Sequence, residues 1–309
     1  MDQIEKQKVK ELNGKGANGE SSKEGRLNVM KTYKIYIDGK FPRTESGRYY
    51  ILKDKDGNTI ANICQGSRKD FRDAVVAARK AQHSWASRSA YNRGQILYRI
   101  AEMLEGRRAQ FVAELMQQGS TSVDAESEVS AAVDRFVYYA GWCDKYQQVF
   151  SSVNPVESSH FNFSLPEATG VVSILADEET SLIGLATAIA PAIAGGNTVV
   201  TLASSSKPLC AVTFAEVLNS SDVPGGVVNI ITGYRKELIT HFSNHMDVNA
   251  CIYFGEDKDQ IKTMKEHASL NVKRPLVYSG DDLLSDSHQN PYRIMDLQEI
   301  KTTWHPIGQ

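Results

Sequence analysis

From about residue 32 to residue 66 apolar and polar positions alternate in twos, and from residue 67 the spacing lengthens to that of a helix. Tyr33-Lys-Ile-Tyr-Ile37 reads as a strand turned by Asp38-Gly39. Tyr49-Tyr-Ile-Leu52 runs to a second turn at Asp56-Gly57 and on to Thr59-Ile-Ala-Asn-Ile63. Ser67, followed three residues on by Asp70, predicts a helix N-cap, with Phe71, Val75, Ala78 and Trp85 along one face. A second helix is expected from about Tyr91 to Gln118 on the stripe Ile96, Leu97, Ile100, Leu104, Phe111 and Leu115. A third is expected from about Val123 to Tyr146 on Val129, Val133, Phe136, Val137 and Tyr139. Stripes of this kind are core faces.

After Gly170 short apolar runs alternate with helical stretches. The runs are Val171–Leu175, Thr198–Leu202, Val227–Ile231 and Ala250–Phe254. Helices fit between them at Leu182–Ile193, Pro208–Leu218 and Lys236–His245. Strands apolar on both sides, separated by helices, predict a Rossmann-like three-layer α/β fold with a parallel sheet covered on both faces, over about residues 32–280. Residues 1–31 are polar and rich in Gly, Lys, Glu and Ser; such a stretch buries too little apolar surface to offset its ordering entropy, so a disordered tail is expected. Residues 281–309 are read as a linker and a tail strand.

Composition narrows the function classes. Hydrophobic residues are 41% of the 309 and charged ones 23%, as in a globular domain. A net charge of -2 offers no basic field for nucleic acid or an anionic membrane. The longest apolar stretch, Leu182–Ile193, is too short to span a bilayer, and Met1–Asn13 has no apolar core of a secretory leader. Cys64, Cys143, Cys210 and Cys251 lack disulfide or zinc spacing, which predicts reduced thiols and a cytoplasmic protein.

Three segments are more specific: Tyr138-Tyr-Ala-Gly-Trp-Cys-Asp-Lys145, Ala190-Pro-Ala-Ile-Ala-Gly-Gly-Asn-Thr-Val-Val200 and Val223-Pro-Gly-Gly-Val-Val-Asn-Ile-Ile-Thr-Gly233. In order and spacing they resemble signature segments of the aldehyde dehydrogenase superfamily, over roughly Ile35 to Gly255. The resemblance implies the fold of that family's cofactor domain, with a hairpin and a C-terminal oligomerisation strand. It also implies chemistry by an activated Cys thiolate, an oxyanion-binding Asn and a Glu general base. Here Glu179 stands where the Asn is implied and Tyr278, in Tyr278-Ser-Gly-Asp281, where the base is implied. No Cys follows Cys251 to act as nucleophile. The implied ribose grip, a Lys and a Glu, is replaced by Leu202 and Ser205. The implied diphosphate-binding helix start reads Gly255-Glu-Asp-Lys-Asp259, where Glu256 and Asp257 oppose a dinucleotide and stabilise a helix N-terminus by roughly 0.3–1 kcal/mol each. After Asp281 the chain reaches Gln298-Glu-Ile-Lys-Thr-Thr-Trp304 within a few turns, resembling the family's tail strand with the catalytic domain excised. This arrangement is similar to the truncated, non-catalytic C-terminal domain of family-16 aldehyde dehydrogenases.

Other candidates have plainer readings. His241 and His245 have metal-ligand spacing but no third ligand, and no metal is expected. Cys251 in a strand and Cys143 beside Trp142 are read as inert buried thiols, and Gly195-Gly196 as a helix-ending turn. Asp281, Asp282, Asp286 and His288 are read as a solvated loop. The expectation is therefore a pseudoenzyme without a cofactor that acts as an interaction subunit, in a homo-oligomer or with an active aldehyde dehydrogenase. The arm Phe161, Phe163 and Leu165 and the strand Ile300, Thr302 and Trp304 are expected to form an intersubunit sheet. The alternatives are an oxidoreductase using NAD(P) on aldehydes, or a regulatory domain binding a small ligand in the vacated crevice.

Overall fold

The alternation near the N-terminus becomes a three-stranded sheet. In it β1 (Thr32–Tyr33) runs parallel to β3 (Thr59–Cys64), and β2 (Tyr49–Lys53) lies antiparallel on the other side. The first strand is shorter than the expected Tyr33–Ile37. Beyond Tyr33 the chain leaves β3, and Tyr36 exchanges two 2.8 Å backbone hydrogen bonds with Ile230. The Asp38-Gly39 turn forms as expected: φ is 53° and 72°, and Ile37 and Lys40 bond each other at 3.0 Å. The computed structural model describes residues 30–280 and 282–308, so most of the expected disordered tail lies outside the described residues. Lys31–Gln309 form one unit.

Ser67 caps α1 (Arg68–Ala86) in a full capping box with Asp70. The single helix expected over Tyr91–Gln118 is two, α2 (Ala90–Gly106) and α3 (Arg108–Gln117). Between them Arg107 leaves helical geometry, with φ -109° and ψ 14°, and its side chain reaches Gln110 and Glu216. The break leaves Leu104 and Phe111 both fully buried. Next come α4 (Ser122–Trp142), the short α5 (Tyr146–Phe150), and a hairpin of β4 (Ser152–Asn154) and β5 (His160–Ala168).

The βα rhythm then begins: β6 (Val171–Leu175), α6 (Ile183–Ala194), β7 (Thr198–Leu202), α7 (Leu209–Ser220), β8 (Val228–Ile231), α8 (Arg235–Asn244), β9 (Ala250–Phe254), α9 (Lys258–Ser269) and β10 (Arg274–Tyr278). The strands form one parallel sheet in the order β10-β9-β6-β7-β8. On one face Val171, Leu175, Val200 and Tyr253 meet Phe71, Phe242 and Met264. On the other Val172, Ile174, Val199 and Ile252 meet Phe136, Ile189 and Phe214. The expected three layers are present, and each large aliphatic chain so buried is worth about 1.5–3 kcal/mol.

Helix α6 is buried along its whole length and has no side-chain cap of its own. Glu128 of α4 supplies one: its Oε1 accepts from the N–H groups of Ser181, Leu182 and Ile183 at 3.1, 2.7 and 3.1 Å. The helix ends at Gly195 and Gly196 (φ 86°), the turn expected from the sequence. A Cβ at Gly195 would lie 2.4 Å from Nε2 of Gln298, so the glycine leaves room for the returning C-terminal segment.

At the end of α9 Lys273 N–H donates to Ala268 O at 3.1 Å, a Schellman-type bond that places Val272 at φ 55°. A β-branched residue is strained there, and the side chain is 94% exposed, so packing offsets nothing. Val272→Gly is expected to raise stability by about 1 kcal/mol. A higher urea midpoint with unchanged m-value checks it, and a lower midpoint contradicts it.

After β10 the chain passes through α10 (Tyr292–Met295) into β11 (Gln298–Pro306). β11 pairs antiparallel with all nine residues of β5, from Gln298 opposite Ala168 to Pro306 opposite His160. The arm and the tail, expected to meet between subunits, meet inside one chain. The cause is at the root. Leu297 O accepts from Thr169 N–H at 3.1 Å and Asn197 Nδ2 at 3.0 Å, which delivers β11 to the start of the arm.

Candidate functional site

Chain order fixes where a site forms. From β6 the chain moves outward through β7 and β8, then returns to β9 on the other side of β6. The loops leaving β6 and β9 therefore diverge, and a crevice of about 560 Å³ opens at the strand C-termini. Asp177–Thr180, Gly255–Asp257, Arg235, Tyr253 and Tyr278 line it.

Arg235, the first residue of α8, fills the divergence point. Its Nη1 donates to Phe254 O at 3.0 Å, and its Nη2 donates to Ala176 O, so one guanidinium ties together the ends of β9 and β6. It stacks 4.8 Å from the Tyr253 ring centroid, and its Nε lies 3.7 Å from Glu178 Oε1. Glu178 then bridges to the end of β7. Its Oε2 accepts from Ser205 N–H at 2.8 Å, Ser205 Oγ at 3.0 Å and Ser204 Oγ at 3.2 Å. Gly255, at φ 133°, has Arg235 Nη1 only 3.5 Å from where a Cβ would sit, so a side chain there would be both strained and in the way.

Leu202 is 1% exposed and belongs to the core beneath α1 and α8, pointing into the layer and not into the crevice. Ser205 lies behind Glu178, and its donors are spent on that carboxylate. Glu179 is exposed; its N–H donates to Asp177 Oδ2 at 3.1 Å and its carbonyl accepts from Lys207 Nζ. At the start of α9, Asp257 accepts from the N–H groups of Asp259 and Gln260, both at 3.0 Å, and these bonds hold its carboxyl below the usual range. The donors that would meet a diphosphate are engaged by the chain's own carboxylate, with Glu256 exposed beside it.

Tyr278, at the implied base position, donates to Asp296 Oδ2 at 2.9 Å, with the Arg293 guanidinium 4.0 Å from its ring centroid. Burial raises its pKa far above the ordinary phenol value. The segment between β10 and β11 folds over this side of the sheet. Arg135 of α4, 1% exposed, donates to Leu283 O at 3.0 Å, and Tyr139 donates to His288 O and Asn290 O at 2.9 and 3.1 Å. The solvated-loop reading holds for Asp282 and Asp286 and is corrected at His288, which is 2% exposed; Asp281 lies outside the described residues.

All four cysteines are free and buried. Burial pushes the Cys143 thiol up to about 12 and the Cys251 thiol up to about 11, and raises Cys210 as well. Ellman's reagent at pH 8 is expected to titrate none in the folded protein and all four after denaturation. Fast modification of one thiol in the folded state would contradict this. His241 and His245 sit with Arg68 and Arg72 around a small cleft, where burial lowers both imidazole pKa values.

The residues singled out on the arm divide between two faces. Phe161, Phe163 and Leu165 share one face with Val153, Lys301, Thr303 and His305, whereas Ile300, Thr302 and Trp304 share the other with Asn162 and Ser164. Phe161, Leu165, Ile300 and Trp304 are 45%, 38%, 55% and 57% exposed. Sequence reasoning missed Glu178 and Arg235. They lie 57 positions apart with no motif joining them, and only strand order brings them together.

A parallel sheet in this order, with a crevice at its switch point and a three-stranded arm, defines a dehydrogenase cofactor-domain fold. The aldehyde dehydrogenase family pattern matches residues 41–280, and the chain belongs to that family. It is 30% identical over 260 residues to human mitochondrial 10-formyltetrahydrofolate dehydrogenase, covering 82% of this chain and 28% of that protein. It is 30% identical over 249 residues to an aldehyde dehydrogenase of Davidiella tassiana, covering 80% and 50%. The crystal structure of PnpE in complex with nicotinamide adenine dinucleotide superposes with TM-score 0.76 at 26% identity, covering 80% of this chain and 50% of that one. The chain thus spans half or less of these relatives. Among the described residues no helix is long and apolar enough to cross a membrane.

Proposed function

We propose that this protein is a pseudoenzyme of the aldehyde dehydrogenase family that acts as an assembly subunit, joining an oligomer with itself or with an active aldehyde dehydrogenase. The observation that carries the reading is the Arg235–Glu178 pair, which lines the crevice with the protein's own charges and holds Ser205 behind it. A dinucleotide entering there meets the carboxylates of Glu178 and, at the helix start, Asp257, and finds no grip at Leu202. The residues present do not fit NAD, and no reaction step is assigned to it. The exposed arm supports the assembly role, since a sheet with apolar side chains open on both faces is a docking element. Four buried free thiols agree with cytoplasmic residence.

Calorimetry with NAD is expected to show no binding below millimolar concentration, and an aldehyde with NAD no turnover. Low-micromolar affinity overturns the silent reading. Light scattering is expected to show an oligomer, or a complex with an added aldehyde dehydrogenase, that is lost when the chain is truncated after Gln298. Monomers under every condition overturn the assembly role. The remaining 560 Å³ of crevice favours one second reading, a regulatory domain for a small ligand.

A further inference from the structure

We infer that two copies of this chain join through the free edge of β11, forming one continuous six-stranded sheet across a two-fold axis at Thr302. The inference rests on the assembly reading and names its partner and register. Beyond Gln298, whose carbonyl accepts from Arg274 Nη1 at 2.7 Å, β11 is paired on one side only: among the described residues its sheet ends there, in the order β11-β5-β4. Residues 299–306 are all exposed, so an eight-residue edge stands open, more than twice the length of β4 at the opposite edge. An edge of this length is a template for another strand.

The side chains select the strand. In an antiparallel pair related by a two-fold axis normal to the sheet, opposed residues lie on the same face and their numbers sum to twice that of the central residue. Thr302 is the midpoint of the exposed stretch Glu299–His305, so centring there pairs that whole stretch. Ile300 then faces Trp304 of the second copy, and the pair occurs twice. Within its own chain Ile300 has only the small Pro166 ring opposite, and Trp304 has the polar Asn162 opposite with the His160 ring 5.8 Å away. On the other face Glu299 meets His305 twice and Lys301 meets Thr303 twice. Glu299 Oε1 is held by Arg274 at 2.9 Å. Centring on Lys301 sets two ammonium groups against each other, and like charges directly opposite destabilise a pair; centring on Thr303 sets Trp304 against Thr302 and separates it from Ile300. Centring on Ile300 leaves Trp304 beyond the overlap.

The test uses the full chain. Because all four native thiols are buried, Thr302→Cys carries the single exposed one, opposite itself in the second copy at about 4.5–5.5 Å between Cα atoms, within disulfide reach. Mild oxidation is expected to give a disulfide dimer on a non-reducing gel, while Val153→Cys, on the β4 edge, stays uncrosslinked. Trp304→Glu removes both Ile–Trp pairs and is expected to weaken dimerisation roughly tenfold by sedimentation. Wild type monomeric at every concentration overturns the pairing, whatever it does with an aldehyde dehydrogenase. Oligomers that Phe161→Asp dissolves but Thr302→Cys does not crosslink overturn the pairing and leave the assembly reading standing.

Discussion

Arg235→Met is expected to lower folding stability by about 3–5 kcal/mol, the range for removing one partner of a buried charge pair. The side chain is 9% exposed and has three tasks: it satisfies the carbonyls ending β6 and β9, covers the Tyr253 ring, and neutralises Glu178. Methionine keeps much of the apolar contact and removes every donor. Ala176 O and Phe254 O lose their partner, and Glu178 keeps its hydroxyl and amide donors without a counter-charge. Urea denaturation measures the loss. Glu178→Gln in the Arg235→Met background is expected to recover part of it, because the residual penalty is an uncompensated carboxylate. A loss below about 1 kcal/mol would show that the strand ends do not depend on this clamp.

The second large effect is expected at Glu114 and has a pH signature. Glu114 of α3 is 5% exposed. Its Oε1 accepts from Thr213 Oγ1 at 2.7 Å and Tyr33 hydroxyl at 3.1 Å, while Oε2 is buried with no hydrogen-bond partner. Burial raises its pKa above the ordinary carboxylate value, against the opposing pull of Thr213 and Lys31. With the folded pKa above the unfolded one, the native state binds more protons between the two. The group's contribution is then fully present below the unfolded pKa, near 4.5, and is lost as pH rises through the folded pKa. Glutamine imitates the protonated carboxyl at every pH. Glu114→Gln is therefore expected to be more stable than wild type at pH 7 by about 1–3 kcal/mol, with the gap closing toward pH 4. Urea midpoints at several pH values decide it, and a gap that widens on acidification reverses the sign of the argument.

The main sheet was legible because its strands are apolar on both faces. Val171–Leu175, Thr198–Leu202 and Ala250–Phe254 need two covering layers wherever they fold, and the intervening stretches have the length of crossover helices. The capping box at Ser67 and the positive-φ turns at Asp38-Gly39 and Gly195-Gly196 were legible because each is settled within a few residues. The break at Arg107 was not, because the Leu104–Phe111 stripe continues through it and the partner that stabilises it, Glu216, is 109 positions away.

At the site the residue types were readable and their environments were not. That Glu179, Tyr278, Leu202 and Ser205 stand where the family's functional groups are implied is a matter of order along the chain. The sequence by itself determined the α/β class, the order of its elements and the residue types at those positions, because periodicity, local turns and residue identity are properties of short stretches. Only the tertiary structure decided that Arg235 and Glu178 pair in the wall of the crevice, that Leu202 points into the core, and that Arg135 and Tyr139 hold the segment after β10. It also decided that β11 lies on β5 of its own chain, with Phe161 and Trp304 on opposite faces. Each of these is a pairing across at least 27 positions, set by which strand lies beside which, and strand order is a property of the whole packed core that no local stretch contains.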